Sequence, residues 1–305
     1  MNLHFVVTEE EQDVRIDRYL TERCENLSRS YLQKLLKAES VLVNEQPVKA
    51  SYKVSEGDSI SCFVPEAVEP EILAEDMELD VLYEDEDVIL VNKPKGMVVH
   101  PAPGHFSGTL VNGLMYHCRG QLSGINGVMR PGIVHRIDKD TTGVLIACKN
   151  DFAHQSIAAQ LKEHSITRRY QAIVHGVLKE DEGTIDRPIG RDTVDRKRMS
   201  INERNGKAAV THYQVLRRFR GYTHIECRLE TGRTHQIRVH MASIRHPLLG
   251  DTVYGPSAVP FKGLQGQTLH AGVLGFVHPR TGCYMEFSAP LPGYFTDLLK
   301  KLESL

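Results

Sequence analysis

From Pro65 to Asp87 the chain carries eleven Asp or Glu and not one Lys or Arg. Such a segment repels itself and resists packing into an interior, so it is expected to stay extended. It divides the 305 residues into a short N-terminal part and a long C-terminal part, each of which needs a core of its own. The boundaries read as an N-terminal domain over 12–65, an acidic linker over 66–80 and a larger domain over 81–305. With 41% apolar and 25% charged residues, the chain has the composition of soluble globular domains.

Several function classes drop out at this point. No apolar run approaches the roughly 18 residues of a membrane-spanning helix. The start, MNLHFVVTEEEQDVRID, lacks both a basic opening and a small-residue cleavage site, so a signal peptide is not expected and the cytoplasm is. Six cysteines lie scattered without a C-x-x-C pair, the usage of reduced thiols rather than of a disulfide framework. Fifteen histidines show no H-E-x-x-H and no paired Cys/His spacing, so no metal is expected. Without a Walker loop or G-x-G-x-x-G, no nucleotide cofactor is expected either.

The net charge of −2 conceals a strong separation of sign. Outside the acidic segment, 37 basic residues outnumber the remaining 28 acids by nine. From Arg187 to Arg238 there are thirteen Lys or Arg against five Asp or Glu. Local positive charge of this kind is the footprint of a phosphate-binding surface.

Residues 14–38 carry two helical patterns. Ile16, Tyr19 and Leu20 line one face; Leu32, Leu35 and Leu36 line another, after Ser28 as N-cap. Arg15, Arg18, Arg29, Lys34 and Lys37 are left for the exposed sides. Strand-like pieces follow, with turns at Asn44–Gln46 and Gly57–Asp58. In the larger part, VLYEDEDVILVNKP, GVLIACK, RRYQAIVHGVL and the hairpin AVTHYQVLRRFRGYTHIECRLE read as strands. DFAHQSIAAQLKEH is expected as a helix burying Phe152, Ile157 and Leu161, and RTHQIRVHMASI as another burying Ile237, Met241 and Ile244. Strands at 269–277 and 283–288 and a final helix close the chain. Hairpins dominate over crossovers, so the class is α+β with a mixed, mainly antiparallel sheet.

The segments RIDRYL, SRSYLQKLL, VLVNEQPV and KVSEGD resemble the α-L RNA-binding motif of a small-subunit ribosomal protein. Where that family often has Gly before the first strand, this chain has Glu39–Ser40, so a turn of another type is expected there. The block HRIDKDTTG (135–143) resembles the H-R-L-D-x-x-T-S-G signature of RluA-type pseudouridine synthases, with Ile137 for Leu and Thr142 for Ser. VNKPKGMVVHP (91–101), RRYQAIVHG (168–176), TGRTHQIRVHM (231–241) and LHAGVLGFVHP (269–279) match further blocks in order. With the N-terminal domain, the arrangement is similar to the branch that acts on large-subunit ribosomal RNA.

The resemblance implies an isomerase that converts uridines of RNA to pseudouridine. Ribosomal RNA is the favoured substrate and transfer RNA the other candidate; no membrane is involved and a monomer is expected. Breaking and remaking a glycosidic bond within one nucleotide calls for neither redox nor phosphoryl chemistry, hence no cofactor. It calls for an ionised carboxylate, a cation that keeps it so, and a pocket for the detached base. By resemblance these are Asp138 as nucleophile or base, Arg238 as its partner, and Tyr170 stacking on the uracil or serving in proton transfer. Arg136 is implicated in filling the gap left by the extruded base. His135 either contacts RNA or orients the turn. His235, Gln236 and Leu269 fall in blocks expected to line the substrate pocket. Arg233, five residues before Arg238, should lie about 140° away on a helix and so point elsewhere, toward phosphate, with the pairing role as its second option. Asp140 is expected on the loop surface or capping the Thr141–Gly143 turn. Lys93, Pro94 and Gly96 read as rigid support, and Gly143 and Gly232 as sources of backbone freedom. The competing reading is a non-catalytic RNA-binding or ribosome-assembly factor, which would need none of Asp138, Tyr170 and Arg238. A glycoside hydrolase would need a second placed carboxylate.

Overall fold

A computed structural model describes residues 2–24, 27–64, 72–102, 104–125, 130–195 and 198–305. Contacts group the chain into two units, 1–69 and 70–305. Of the expected linker over 66–80, residues 66–71 lie outside the described residues.

The first unit runs β1 (Asn2–Val6), α1 (Ile16–Arg23), α2 (Arg29–Lys37), β2 (Val41–Val43), β3 (Gln46–Pro47) and β4 (Ser59–Phe63). The strands form an antiparallel sheet in the order β1-β4-β2-β3. Both helical faces close over it as their spacing predicts: Ile16, Tyr19, Leu20, Leu32, Leu35 and Leu36 are all buried with Val41, Val43 and Ile60. Ser28 caps α2 by accepting from the Tyr31 amide. At the other end of α2, Glu39 takes φ 56, the left-handed conformation that favours glycine, and Ser40 N donates to Leu35 O at 2.9 Å. At this turn a glutamate thus occupies a backbone geometry suited to glycine.

Beneath the basic face lies a buried acid. Asp17, on α1, accepts from Arg15 Nε at 3.1 Å, Arg29 Nη2 at 2.9 Å and Gln33 Nε2 at 2.9 Å. Burial pushes its pKa up, but the bonds from Gln33, Arg29 and Arg15 outweigh that and bring it down to about 2. An unfolded aspartate titrates near pH 3.9, so the contribution is complete above about pH 4 and disappears as pH falls through about 2. Because the arginines are half exposed, it is worth about 1–2 kcal/mol. Acid titration of stability in this window should therefore be steeper for the native chain than for Asp17→Asn, a difference that circular dichroism on each would measure.

The second unit contains β5 (Val81–Glu84), β6 (Val88–Lys93), α3 (Leu110–His117), β7 (Thr142–Cys148), α4 (Asp151–Lys162), β8 (Thr167–His175), β9 (Glu182–Asp186), β10 (Ile189–Arg191), β11 (Met199–Ile201), β12 (Val210–Phe219), β13 (Tyr222–Leu229), α5 (Gln236–Ser243), β14 (Leu269–Val277), β15 (Tyr284–Ser288) and α6 (Gly293–Glu303). Its main sheet runs β5-β6-β7-β14-β8-β13-β12-β9, with β15 also on β14; β10 and β11 form a separate hairpin. Among the described pairings of this sheet, all are antiparallel except β7 with β14. The class is thus α+β with a mixed, mainly antiparallel sheet, as read from the hairpin spacing.

Both faces of the central strands are covered, which explains the unbroken apolar run in β7. Leu145 and Ala147 join Ile89 and Val91 against α3, while Val144, Ile146 and Cys148 join Val88 and Leu90 against α4. Helix α4 buries Ala153 and Ile157, but Phe152 is 56% exposed, contrary to the expected face. Five residues separate Phe152 from Ile157, about 140° of helical rotation, so the two cannot share a face. The acidic stretch is held from residue 73 onward: Asn112 of α3 donates to Leu73 O, and Glu75 N donates to Asn112 O. This part of it is extended along the second unit rather than free.

Candidate active site

The loop carrying Asp138 enters β7 at the one parallel junction of the sheet, and neighbours fasten it from two sides. On one side the Lys93 ammonium, fully buried, donates to the carbonyls of Pro94, Met97 and Lys139, and Gly96 N also donates to Lys139 O. These are the support residues of the first block. On the other side Thr142 Oγ1 bonds His270 Nδ1 at 2.8 Å, and Gly143 lies against β14 so closely that a Cβ would stand 2.1 Å from Ala271 O. Asp140 is half-buried against Gly266, its charge acting on Lys93 and Lys95. It neither caps the turn nor lies on the open surface: Thr141 N closes the turn on the Asp138 carbonyl at 3.0 Å.

Asp138 is one-fifth exposed, and its Oδ2 accepts from Arg238 Nη1 at 2.9 Å. Arg238 is buried in α5 and is itself gripped from behind. Asp251 takes its Nε at 2.6 Å and its Nη2 at 3.0 Å, a two-pronged bond that also orients the third nitrogen. Burial works against the guanidinium charge, but the Asp251 bonds and the fields of Asp138 and Asp251 raise its pKa above the ordinary value. The guanidinium therefore stays charged and holds the Asp138 carboxylate by a charge-assisted hydrogen bond. On the other carboxylate oxygen, His235 Nε2 stands 3.8 Å from Oδ1. Its Nδ1 bonds the Tyr254 hydroxyl at 2.8 Å, and that hydroxyl accepts from Met199 N at 2.9 Å.

Asp138, Tyr170, Arg136, Arg233 and His235 all line one cleft of about 670 Å³. Asp138 is the only carboxylate among the described residues lining it. A smaller recess of about 60 Å³ adds Arg238 and Leu269 to Asp138 and Tyr170. Burial raises the Tyr170 hydroxyl above the usual phenol range, with Arg168 opposing and Asp138 reinforcing the shift. It is thus a neutral, mostly buried ring beside the carboxylate. Arg136 is exposed at the cleft.

Two site residues have internal occupations. His135 Nε2 accepts from Ile146 N at 3.2 Å, and burial, then the charge of Arg168, bring its pKa down to about 3. Of its two options, orienting the turn is the one its geometry supports. The Gln236 amide is fully used: its oxygen accepts from Thr231 Oγ1 and Arg233 N, its nitrogen donates to Val210 O and Thr211 Oγ1. That side chain lies in the wall of the smaller recess. It also sets the start of α5, three residues later than expected, with His235 at φ 58 before it. Arg233 consequently lies outside the helix, the 140° argument does not apply, and the side chain faces the same cleft as Asp138, with Nε on Ala208 O.

A family model described as RNA pseudouridylate synthase matches residues 87–243, and one described as S4 domain matches residues 14–60. The chain belongs to the RNA pseudouridine synthase family. The synthase is 56% identical over 301 residues to the uncharacterised RNA pseudouridine synthase YlyB of Bacillus subtilis, with 98% of each chain covered. It is 46% identical over 306 residues to ribosomal large subunit pseudouridine synthase D of Zymomonas mobilis, with 97% of this chain and 96% of the relative covered. The solved human RNA pseudouridylate synthase domain containing 1 shares the fold, with a TM-score of 0.59 over 76% of this chain and 97% of that one at 24% identity.

Three residues of the synthase's cleft region were not singled out from sequence: Asp251, Tyr254 and Arg168. The alternation of β8 would have exposed Arg168, two positions before Tyr170 and on the same face. Asp251 and Tyr254 sit in an ordinary-looking turn, and only the tertiary fold brings them to Arg238. Among the described residues one trio of metal-type donors converges, Asp85, Asp87 and His278, within 4.8 Å. Arg280 forks Asp87, while Asp85 accepts from His278, Tyr83 and two backbone amides, so the trio is a clamp on the β5–β6 turn.

Proposed function

We propose that this synthase converts uridines of large-subunit ribosomal RNA to pseudouridine in the cytoplasm, with Asp138 as the catalytic carboxylate. The observation that carries the reading is the lone acid of a basic cleft, held 2.9 Å from a buried guanidinium and beside a buried tyrosine. The ribose–N1 bond of the uridine breaks, the base turns, and carbon five bonds the same ribose carbon. Nitrogen one gains a proton as carbon five loses one, so atoms and charge balance within the nucleotide. Asp138 serves as nucleophile toward the ribose or as base, and Arg238 holds it in place in either role. The uridine must first leave its stack, at a cost of a few kcal/mol; in this reading Arg136, exposed at the cleft, occupies the gap and Tyr170 stacks on the base.

Relatives named ribosomal large subunit pseudouridine synthase D, at 41–46% identity over at least 94% of this chain, support the choice of RNA. Mapping pseudouridines across cellular RNA with and without the gene tests it: loss of sites in large-subunit RNA is expected, and loss confined to transfer RNA would overturn it.

The first unit contributes phosphate contacts in this reading. Asp17 holds Arg15 and Arg29 side by side, and Arg18, Lys34 and Lys37 are exposed. Deleting residues 1–64 is expected to weaken RNA binding and flatten its dependence on salt. Titrations at several salt concentrations measure both; an unchanged slope would mean that this unit binds something else.

A further inference from the structure

Arg168 is a buried charge with no counter-charge among the described residues. It leaves β8 on the same face as Tyr170 and lines the same cleft, yet only 6% of it is exposed. Its Nη2 donates to the Glu230 carbonyl at 3.0 Å, while its buried Nε has no hydrogen-bond partner. Among the described residues it forms no ion pair. The contrast with Arg238 is direct: that guanidinium is equally buried and has two carboxylates. Burial pulls the Arg168 pKa down; Tyr170 opposes this and the neighbouring Arg233 adds to it.

Space has been reserved for this side chain. A Cβ on Gly232 would stand 2.5 Å from Arg168 Nη1, so the glycine lets the guanidinium lie at the cleft wall. A buried cation left unpaired is strongly unfavourable. An unsatisfied buried donor calls for an explanation, and an anion entering the cleft would supply one. The rest of the lining has the matching sign, with Arg130, Lys162 and Arg233 around it and Asp138 as the lone acid.

We propose that Arg168, with Arg233 beside it, seats one phosphodiester of the RNA next to the extruded uridine. The proposal rests on the reading of the cleft as the RNA site and adds the anchor that fixes the backbone there. A guanidinium suits the task because its planar fork matches two phosphate oxygens. Gly232 has a stated part in it: Gly232→Ala should displace Arg168 and weaken the same contact.

The test uses the full-length synthase and a short RNA spanning a modified uridine, in which each phosphodiester near that uridine is replaced in turn by a neutral methylphosphonate. With native enzyme, neutralising one linkage should raise KM about tenfold, and in Arg168→Met the same replacement should have no further effect. The salt slope of binding should fall by about one in the variant. Arg168→Lys, which keeps the charge and guards against misfolding, should restore part of the linkage sensitivity. No sensitive linkage with native enzyme, or full sensitivity retained in Arg168→Met, would overturn the seat. So would a loss confined to kcat, which would make Arg168 a brace for Tyr170. Turnover of the unmodified RNA by native enzyme runs alongside; its absence would count against the assigned reaction instead.

Discussion

Arg238→Met is expected to remove about 3–5 kcal/mol of stability and to bring isomerisation to background. Asp251 is fully buried and would lose both prongs of its bond, keeping among the described residues the amides of Val253 and Tyr254. Asp138 would lose its donor at 2.9 Å. Arg238→Lys should be intermediate, since one ammonium cannot fork Asp251 and reach Asp138 together. Thermal melts and single-turnover kinetics measure the two losses separately. A stable, active methionine variant would show that Asp138 does not depend on this guanidinium.

Gly143→Ala should be comparably damaging, through geometry alone. The residue has φ +109, and its Cβ would stand 2.1 Å from Ala271 O and 2.7 Å from the carbonyl carbon. Both are backbone atoms of the neighbouring strand and cannot swing aside. The parallel pairing at this point is short, with His270 opposite Thr142 and Ala271 opposite Gly143. Forcing it apart would move the Asp138 loop away from Leu269 and Tyr170. A loss of about 3–5 kcal/mol is expected by chemical denaturation, with catalysis falling along with it. A change under about 1 kcal/mol would mean that the β7–β14 junction adjusts freely.

Local chemistry made much of this molecule legible. The Ser28 cap, both helical faces of the first unit, and the hairpin turning at Arg220–Gly221 follow from spacing and turn residues. Errors arose where side chains, not periodicity, decide. Gln236 folds back onto the Arg233 amide and delays α5, so an angular argument counted from Arg233 placed that residue on the wrong side. Phe152 is apolar, yet its phase along α4 points it outward. The acid behind Arg238 was invisible for a different reason: thirteen residues and a turn separate them, and a buried charge pair leaves no pattern in the letters. Motif resemblance located Asp138, Tyr170 and Arg238, whereas Asp251 and Arg168 emerged only from burial and bonding.

The account is tested most directly by release of tritium from RNA labelled at uracil carbon five, with native enzyme and Asp138→Asn compared. The substitution keeps the shape and removes the charge next to Arg238. Release by native enzyme is expected, with a fall of about 10⁴-fold or more in the variant while RNA affinity stays within a few fold. Release by the variant at a rate near the native one would contradict the role given to this carboxylate.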